Sequence, residues 1–119
     1  MVAGIGTDII EKERVLKAIE NKSFLDKYFT DGEQKIIEER KSRAASNFAG
    51  KEAVAKALGT GFTGFFPADI EILRKPGGAP YVLLHNGAKN KAQSLGISYI
   101  HISLSDTKDN AIAYVVLEY

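Results

Sequence analysis

Between Ala44 and Leu58 the chain runs fifteen residues without a proline, and six of them are alanine, at positions 44, 45, 49, 53, 55 and 57. Ser46 and Gly50 add two more small side chains. Alanine is the strongest intrinsic helix former, so a helix is predicted over 44–58, with Gly59 suited to its C′ position. A helix walled with so little side-chain bulk lets a sheet or a partner approach its axis closely. Whatever else the chain does, it must place something flat against this segment.

The rest of the chain divides into two styles around that helix. From Glu11 to Leu58 it is charged and nearly free of glycine and proline, and it reads as helices. One is predicted over about Glu11–Glu20, with Val15, Leu16 and Ile19 on its apolar face, and a short one carries Phe24, Leu25, Tyr28 and Phe29. Thr30-Asp31-Gly32-Glu33 has the form of a capping box and predicts a third helix. The opening Val2–Gly6 reads as a strand. Beyond Gly59, β-branched residues, glycine and proline predict strands at Asp69–Leu73 and Tyr81–Leu84 joined by the turn Pro76–Pro80. Asn86 can cap a short helix ending at Gly96. Strands at Ile97–Leu104 and Ala111–Leu117 follow, joined by Ser105–Asn110; the second is apolar on both faces and suits a central position. The fold class expected is α+β, with helices packed on one face of a largely antiparallel sheet, and residues 1–119 forming one domain.

Charge narrows the function. Sixteen basic and fifteen acidic residues leave a net charge of +1, with eleven against ten in residues 1–60 and five against five in 61–119. A protein held to nucleic acid by counterion release is normally far more basic. The absence of cysteine excludes disulfides, thiolate zinc sites and a cysteine nucleophile. No apolar run approaches the ~20 residues of a membrane span, and the first residues lack the basic-then-apolar pattern of a leader. The expectation is a soluble, cytoplasmic protein.

Chemistry can gather at few places. Asp8 is expected just past the first strand, behind Gly4 and Gly6, either as a helix N-cap or as a functional acid. Phe48, Glu52 and Lys56 recur every four residues and share one stripe of the Ala-rich helix; Glu52 and Lys56 fit a surface ion pair or a site. Gly59-Thr60-Gly61 permits a sharp turn and close approach of a ligand, but at a helix C-terminus it lacks the positive dipole end that phosphate loops use. Two separated carboxylates, Asp8 and Glu52, are the least a protein can contribute to a magnesium site completed by water and phosphate oxygens. Lys56 lies one helical turn beyond.

Gly4-Ile5-Gly6-Thr7-Asp8-Ile9-Ile10-Glu11 with Arg14, then Phe48-Ala49-Gly50-Lys51-Glu52-Ala53 continuing to Lys56-Ala57-Leu58-Gly59-Thr60-Gly61, resembles the small holo-[acyl-carrier-protein] synthases, the compact class of 4′-phosphopantetheinyl transferases. The likeness extends through Asp69-Ile70-Glu71-Ile72, Gly78-Ala79-Pro80, Ser103-Leu104-Ser105 and Ala113-Tyr114-Val115-Val116, and so covers essentially the whole chain. It implies transfer of 4′-phosphopantetheine from coenzyme A to a serine of apo acyl carrier protein, releasing 3′,5′-ADP, a reaction that serves fatty acid biosynthesis. By the same resemblance Asp8 and Glu52 hold Mg²⁺ against the pyrophosphate, Lys56 offsets charge on the leaving side, and Gly59, Thr60 and Gly61 bind coenzyme A with Lys56. Glu52, directly or through a water it orients, is the candidate base. Arg14 matches the carrier-binding arginine, with Lys17 three residues on, and the family implies a homotrimer with sites between subunits.

Arg40, Lys41 and Arg43 can meet the 3′-phosphate of coenzyme A or form an ordinary charged helix end. His85 and His101 read as structural. Two positions depart from the family pattern. Asp106 stands where a histidine commonly follows the Ser-x-Ser of the penultimate strand, and is expected to act in catalysis from the metal side. Asn47 stands where many relatives carry arginine, removing one phosphate or carrier contact. A catalytically idle carrier-binding relative and an Mg²⁺-dependent nucleotide hydrolase are the alternatives. Retention of Asp8, Glu52 and Lys56 together argues against the first, and a hydrolase leaves the basic first helix without a role.

Overall fold

The computed structural model describes residues 1–119. Its elements run β1 (Val2–Glu11), α1 (Lys12–Ala18), α2 (Lys22–Tyr28), α3 (Asp31–Glu39), α4 (Arg43–Ala57), β2 (Ile70–Arg74), β3 (Pro80–Leu84), α5 (Asn86–Ser94), β4 (Tyr99–Asp106) and β5 (Asn110–Glu118), with a 3₁₀ turn at Pro67–Asp69 before β2. β1, β5 and β4 form an antiparallel sheet with β5 in the centre, and β2 and β3 form a separate hairpin. The α+β expectation holds, with two antiparallel sheets in place of one.

The Ala-rich helix is the axis on which this is assembled. Ala44, Ala45, Ala49, Ala53, Val54 and Ala55 of α4 are buried, and β1 lies directly against the helix because Gly4 and Gly6 carry no Cβ. A Cβ on Gly6 would stand 1.9 Å from the carbonyl oxygen of Ala53, and one on Gly4 would stand 2.3 Å from that of Ala57. Ala113, Val115 and Leu117 of β5 and Ile70 and Ile72 of β2 complete this core. A second, smaller core of Val15, Phe29, Ile37, Ala44, Ala45 and Ala111 fixes the three short helices at the N-terminal end of α4.

Several boundaries differ from the sequence reading, and one of them matters for the site. β1 does not stop at Gly6 but pairs with β5 as far as Glu11↔Asn110. The alternation of Ile5, Thr7 and Ile9 on the exposed face carries it on, so Asp8 is a strand residue opposite Ala113 and caps no helix. Asn86 is not the cap of α5 either: His85 holds the N-cap position, and the Asn86 side chain donates to Asp69 Oδ1 at 3.1 Å. β4 begins at Tyr99 and runs to Asp106, which therefore ends a strand and does not sit in the following loop. The capping box is present, with Thr30 Oγ1 accepting from the Glu33 amide and Glu33 Oε1 from the Thr30 amide, each at 3.1 Å. Gly59 takes φ +85° just beyond α4, as a left-handed helix terminator does.

The largest surprise is inside. Glu33 and Lys51 are both fully buried and form an ion pair at 2.7 Å. Glu33 accepts four hydrogen bonds in all, from Lys51 and the Thr30 amide on Oε1 and from Asn47 and the Ile72 amide on Oε2. Lys51 Nζ also donates to the carbonyls of Pro67 and Ile70, and lies 5.3 Å from the centre of the Phe29 ring. Every donor and acceptor of the pair is satisfied, which is the condition for a buried pair to be tolerated. It ties α3, α4 and the start of β2 together.

Candidate active site

β1 and α4 bring the two predicted carboxylates to one place. Asp8 projects from β1 with its side chain only 16% exposed, and Lys56, in the last turn of α4, reaches it: Nζ donates to Asp8 Oδ1 at 3.2 Å and to the Thr7 carbonyl at 2.9 Å. Glu52 is half-buried on the same helical stripe. Burial first, and then the charge of Asp8, push the Glu52 carboxyl above the usual carboxylate range, with Lys56 opposing. A carboxylate that stands close enough to be felt by Glu52 leaves room for a cation shared between the two. The surface ion pair open to Glu52 and Lys56 on spacing alone does not form; Lys56 is turned to Asp8.

No cluster of three or more His, Cys, Asp or Glu occurs in the chain. A cation at Asp8 and Glu52 would therefore have two protein carboxylates and draw its other ligands from water or a substrate. Oxygen donors alone, without imidazole or thiolate, suit a hard ion such as Mg²⁺, and the residues present fit it.

Tyr28 belongs to the same neighbourhood and was not singled out by sequence. Its ring stacks on Phe48 at 5.0 Å and on Phe24 at 4.7 Å, and burial, followed by the charge of Glu52, raises its hydroxyl pKa. Its only signal in the sequence is aromatic spacing, which core packing explains equally well. Gly59, Thr60 and Gly61 follow α4 as an open turn. Gly61 takes φ +59°, and a Cβ on Gly59 or Gly61 would meet nothing within 4 Å.

A second cluster sits at the other end of α4. Arg40, Ser42, Arg43, Ser46, Arg74 and the glycine turn of the β2–β3 hairpin line a cleft of about 460 Å³. Asp106 opens on this cleft, and its carboxylate is taken by Lys12 at 2.5 Å. Within one subunit Asp106 is thus gathered with the arginines and not with Asp8 and Glu52. Asn47 does not face solvent as a vacant contact would; it is fully buried and bonded to Glu33, the Ile72 carbonyl and Arg74. Lys41 is exposed and lines a neighbouring groove instead. Arg14 and Lys17 are both exposed on α1. His85 and His101 each pair with a glutamate, Glu71 at 3.0 Å and Glu118 at 2.5 Å.

A family model for the 4′-phosphopantetheinyl transferase superfamily matches residues 4–115. A holo-[acyl-carrier-protein] synthase of Lachnoclostridium phytofermentans is 48% identical over 118 residues, covering 99% of this chain and 97% of that protein. The fold agrees with the crystal structure of the holo-[acyl-carrier-protein] synthase of Neisseria meningitidis at a TM-score of 0.91 and 31% identity, with full coverage of both chains. It also agrees with that of the Helicobacter pylori enzyme in complex with coenzyme A, at a TM-score of 0.85 and 32% identity over 96% of this chain and 99% of that one. Closely approached strand and helix, paired carboxylates and full-length likeness converge on one conclusion: the chain belongs to the 4′-phosphopantetheinyl transferase superfamily.

Proposed function

We propose that this chain transfers 4′-phosphopantetheine from coenzyme A to a serine of an apo acyl carrier protein, as its relatives' names describe, and that the transfer takes place at Asp8, Glu52 and Lys56. The observation that carries the reading is the convergence of Asp8 with Lys56 and Glu52, made possible by the glycines of β1. Asp8 and Glu52 would hold Mg²⁺, whose charge would offset that of the pyrophosphate of coenzyme A. The serine oxygen attacks the phosphorus that bears pantetheine, and the bond from that phosphorus to the bridging oxygen breaks, so that 3′,5′-ADP leaves. Glu52, directly or through a water it orients, takes the serine proton. Lys56 Nζ, fixed by Asp8 and the Thr7 carbonyl, presents a positive charge toward the leaving phosphate. Gly59, Thr60 and Gly61 admit the substrate's phosphate and pantetheine portion beside Lys56 without Cβ atoms at the two glycines.

The partner surfaces follow from what is left exposed. Arg14 and Lys17 are both exposed on α1, and their positive charges suit an acidic carrier. On the outer face of the three-stranded sheet, Ile5, Ile9, Tyr99 and Tyr114 are 61%, 62%, 61% and 49% exposed. Copies of this chain cover that face in a homotrimer. The placement of the two clusters supports sites between subunits. Ser46, in the arginine cleft, and Glu52 stand six residues apart on α4 and point about 120° apart around it. One nucleotide then reaches the carboxylates of one protomer and the arginines of the next, with Asp106 and Lys12 at that second edge. Residues 1–119 act as one domain in this arrangement, in the cytoplasm, supplying holo-carrier for fatty acid synthesis.

Incubating an apo acyl carrier protein with the enzyme, coenzyme A and Mg²⁺, followed by intact-mass spectrometry, tests the reading. A gain of one phosphopantetheine that disappears with chelator is expected. Release of nucleotide from coenzyme A with no change in carrier mass would make the chain a hydrolase instead, and no reaction with several carriers would make it an idle relative.

A further inference from the structure

Asn86-Gly87 is the one Asn-Gly step in the chain; the other four asparagines are followed by Lys22, Phe48, Lys91 and Ala111. Both residues of the step are held in place by the fold. Asn86 takes φ +48°, the only positive φ outside glycine, and asparagine tolerates that left-handed region better than most side chains do. Gly87 has no room for anything larger. A Cβ there would stand 2.3 Å from the Gly64 carbonyl oxygen and 3.0 Å from Cβ of Phe65. The close approach of α5 to the 64–65 segment thus demands glycine directly after the asparagine.

The same arrangement leaves the step chemically open. Asn86 is exposed. The Gly87 amide falls in the first turn of α5, where a helix offers no internal acceptor. The His85 side chain does not cap that turn, and no other group accepts from this amide. One hydrogen bond restrains the Asn86 side chain, from Nδ2 to Asp69 Oδ1 at 3.1 Å. A backbone nitrogen with no partner, on a residue with no Cβ, is free to approach the side-chain carbonyl carbon of the asparagine before it.

We infer that Asn86 is a site of spontaneous deamidation, and that its conversion loosens the junction between α5 and the 3₁₀ turn before β2. The reading is independent of the transfer reaction. The Gly87 nitrogen gives its proton to hydroxide and attacks Cγ of Asn86. The new N–C bond closes a succinimide ring, the Cγ–Nδ2 bond breaks, and the departing nitrogen takes a proton from water and leaves as ammonia. Water then adds to either ring carbonyl and opens the ring, giving aspartate or isoaspartate; no other co-reactant is needed. The neighbours make the product costly. Asp69 is only 8% exposed, and its carboxylate accepts from Asn86 on one oxygen and from the Phe66 amide on the other, at 3.0 Å. A carboxylate at position 86 replaces a donor by a like charge against a nearly buried acid. Isoaspartate also lengthens the backbone by one carbon where Gly87 lies against Gly64. Asp69 closes the turn whose Pro67 carbonyl accepts from Lys51, so the disturbance reaches the buried ion pair.

Folded protein incubated at mildly alkaline pH, digested and mapped by mass spectrometry with aspartyl and isoaspartyl peptides resolved, tests the site; urea unfolding of the same samples tests the consequence. Conversion should accumulate at Asn86 in proportion to hydroxide concentration and leave the other four asparagines intact. The aged protein should unfold at lower urea than the fresh protein, and Asn86→Asp should share the lowered midpoint. Asn86→Gly, which suits the positive φ and has no side-chain amide, should keep its mass and its midpoint through the same incubation. Asn86 left intact in the folded protein, or conversion spread over the other asparagines, would overturn the site. A midpoint that stays put while Asn86 converts, or one that falls equally in Asn86→Gly during incubation, would overturn the consequence drawn from Asp69.

Discussion

Replacing Gly6 by alanine separates the packing argument from the chemistry. The added Cβ would lie 1.9 Å from the Ala53 carbonyl oxygen, where contacts under 3.0 Å are essentially unknown. Neither atom is the tip of a flexible side chain, so β1 must withdraw from α4 by at least about 1 Å merely to clear that limit. Overpacking of this kind costs about 1–3 kcal/mol, and the lower unfolded-state entropy of alanine returns about 0.5–1 kcal/mol. A net loss of about 1–2 kcal/mol leaves most of a typical domain's stability in place. Asp8 is two residues along the same strand, so its carboxylate moves away from Glu52 and Lys56 by a similar distance. Misplacement by 1 Å costs as much as about 100-fold in rate. Urea unfolding and carrier-modification rates measured on the same preparation should therefore show a folded protein with turnover reduced by about two orders of magnitude. Turnover within threefold of wild type would refute the claim that the approach of β1 to α4 builds the site.

Three further outcomes follow from other contacts. Lys51→Met leaves Glu33 buried without its partner and should cost about 3–5 kcal/mol in urea unfolding; adding Glu33→Gln should recover part of it, and a single-variant loss below about 1 kcal/mol would contradict the buried-pair description. Arg14→Ala should raise KM for the carrier protein and flatten its salt dependence while leaving KM for coenzyme A unchanged, and equal effects on both substrates would place Arg14 in the nucleotide site. Asp106→His removes a carboxylate from the arginine cleft and releases Lys12, so KM for coenzyme A should fall with the Mg²⁺ requirement unchanged; a raised Mg²⁺ requirement would return Asp106 to the metal side.

How much of this was legible in the sequence depends on whether a signal was local. The alanines of α4, the capping box at Thr30 and Glu33, and the i, i+4 spacing of Phe48, Glu52 and Lys56 are local, and the structure reproduces each of them. Asp8 was found as a candidate but misplaced, because the end of an edge strand depends on its partner: the pairing that carries β1 to Glu11 is made with residues a hundred positions away. The Lys12–Asp106 pair spans 94 residues and has no local signature. Glu33 and Lys51 were passed over for a different reason, since charged residues on helices are normally solvated. A weak clue was available in Asn47 and Lys51, two polar residues spaced i, i+4 on a helix whose other residues on that side are alanine and valine. Asn47 shows why a departure from a family pattern resists interpretation in one dimension: its consequence is the position of Arg74, on another element.

The central claim is that Asp8 and Glu52 are the working pair, and Glu52→Gln addresses it most directly. The amide keeps the shape and the helix, whose stability should change by only a few tenths of a kcal/mol, but loses the charge that a hard cation and a departing proton both need. Intact-mass measurement of apo carrier protein incubated with coenzyme A and saturating Mg²⁺ should show full modification by wild type and none by the variant, with the two enzymes unfolding at the same urea concentration. Near-normal modification by Glu52→Gln would make Glu52 an ordinary helix residue and contradict the account of the site.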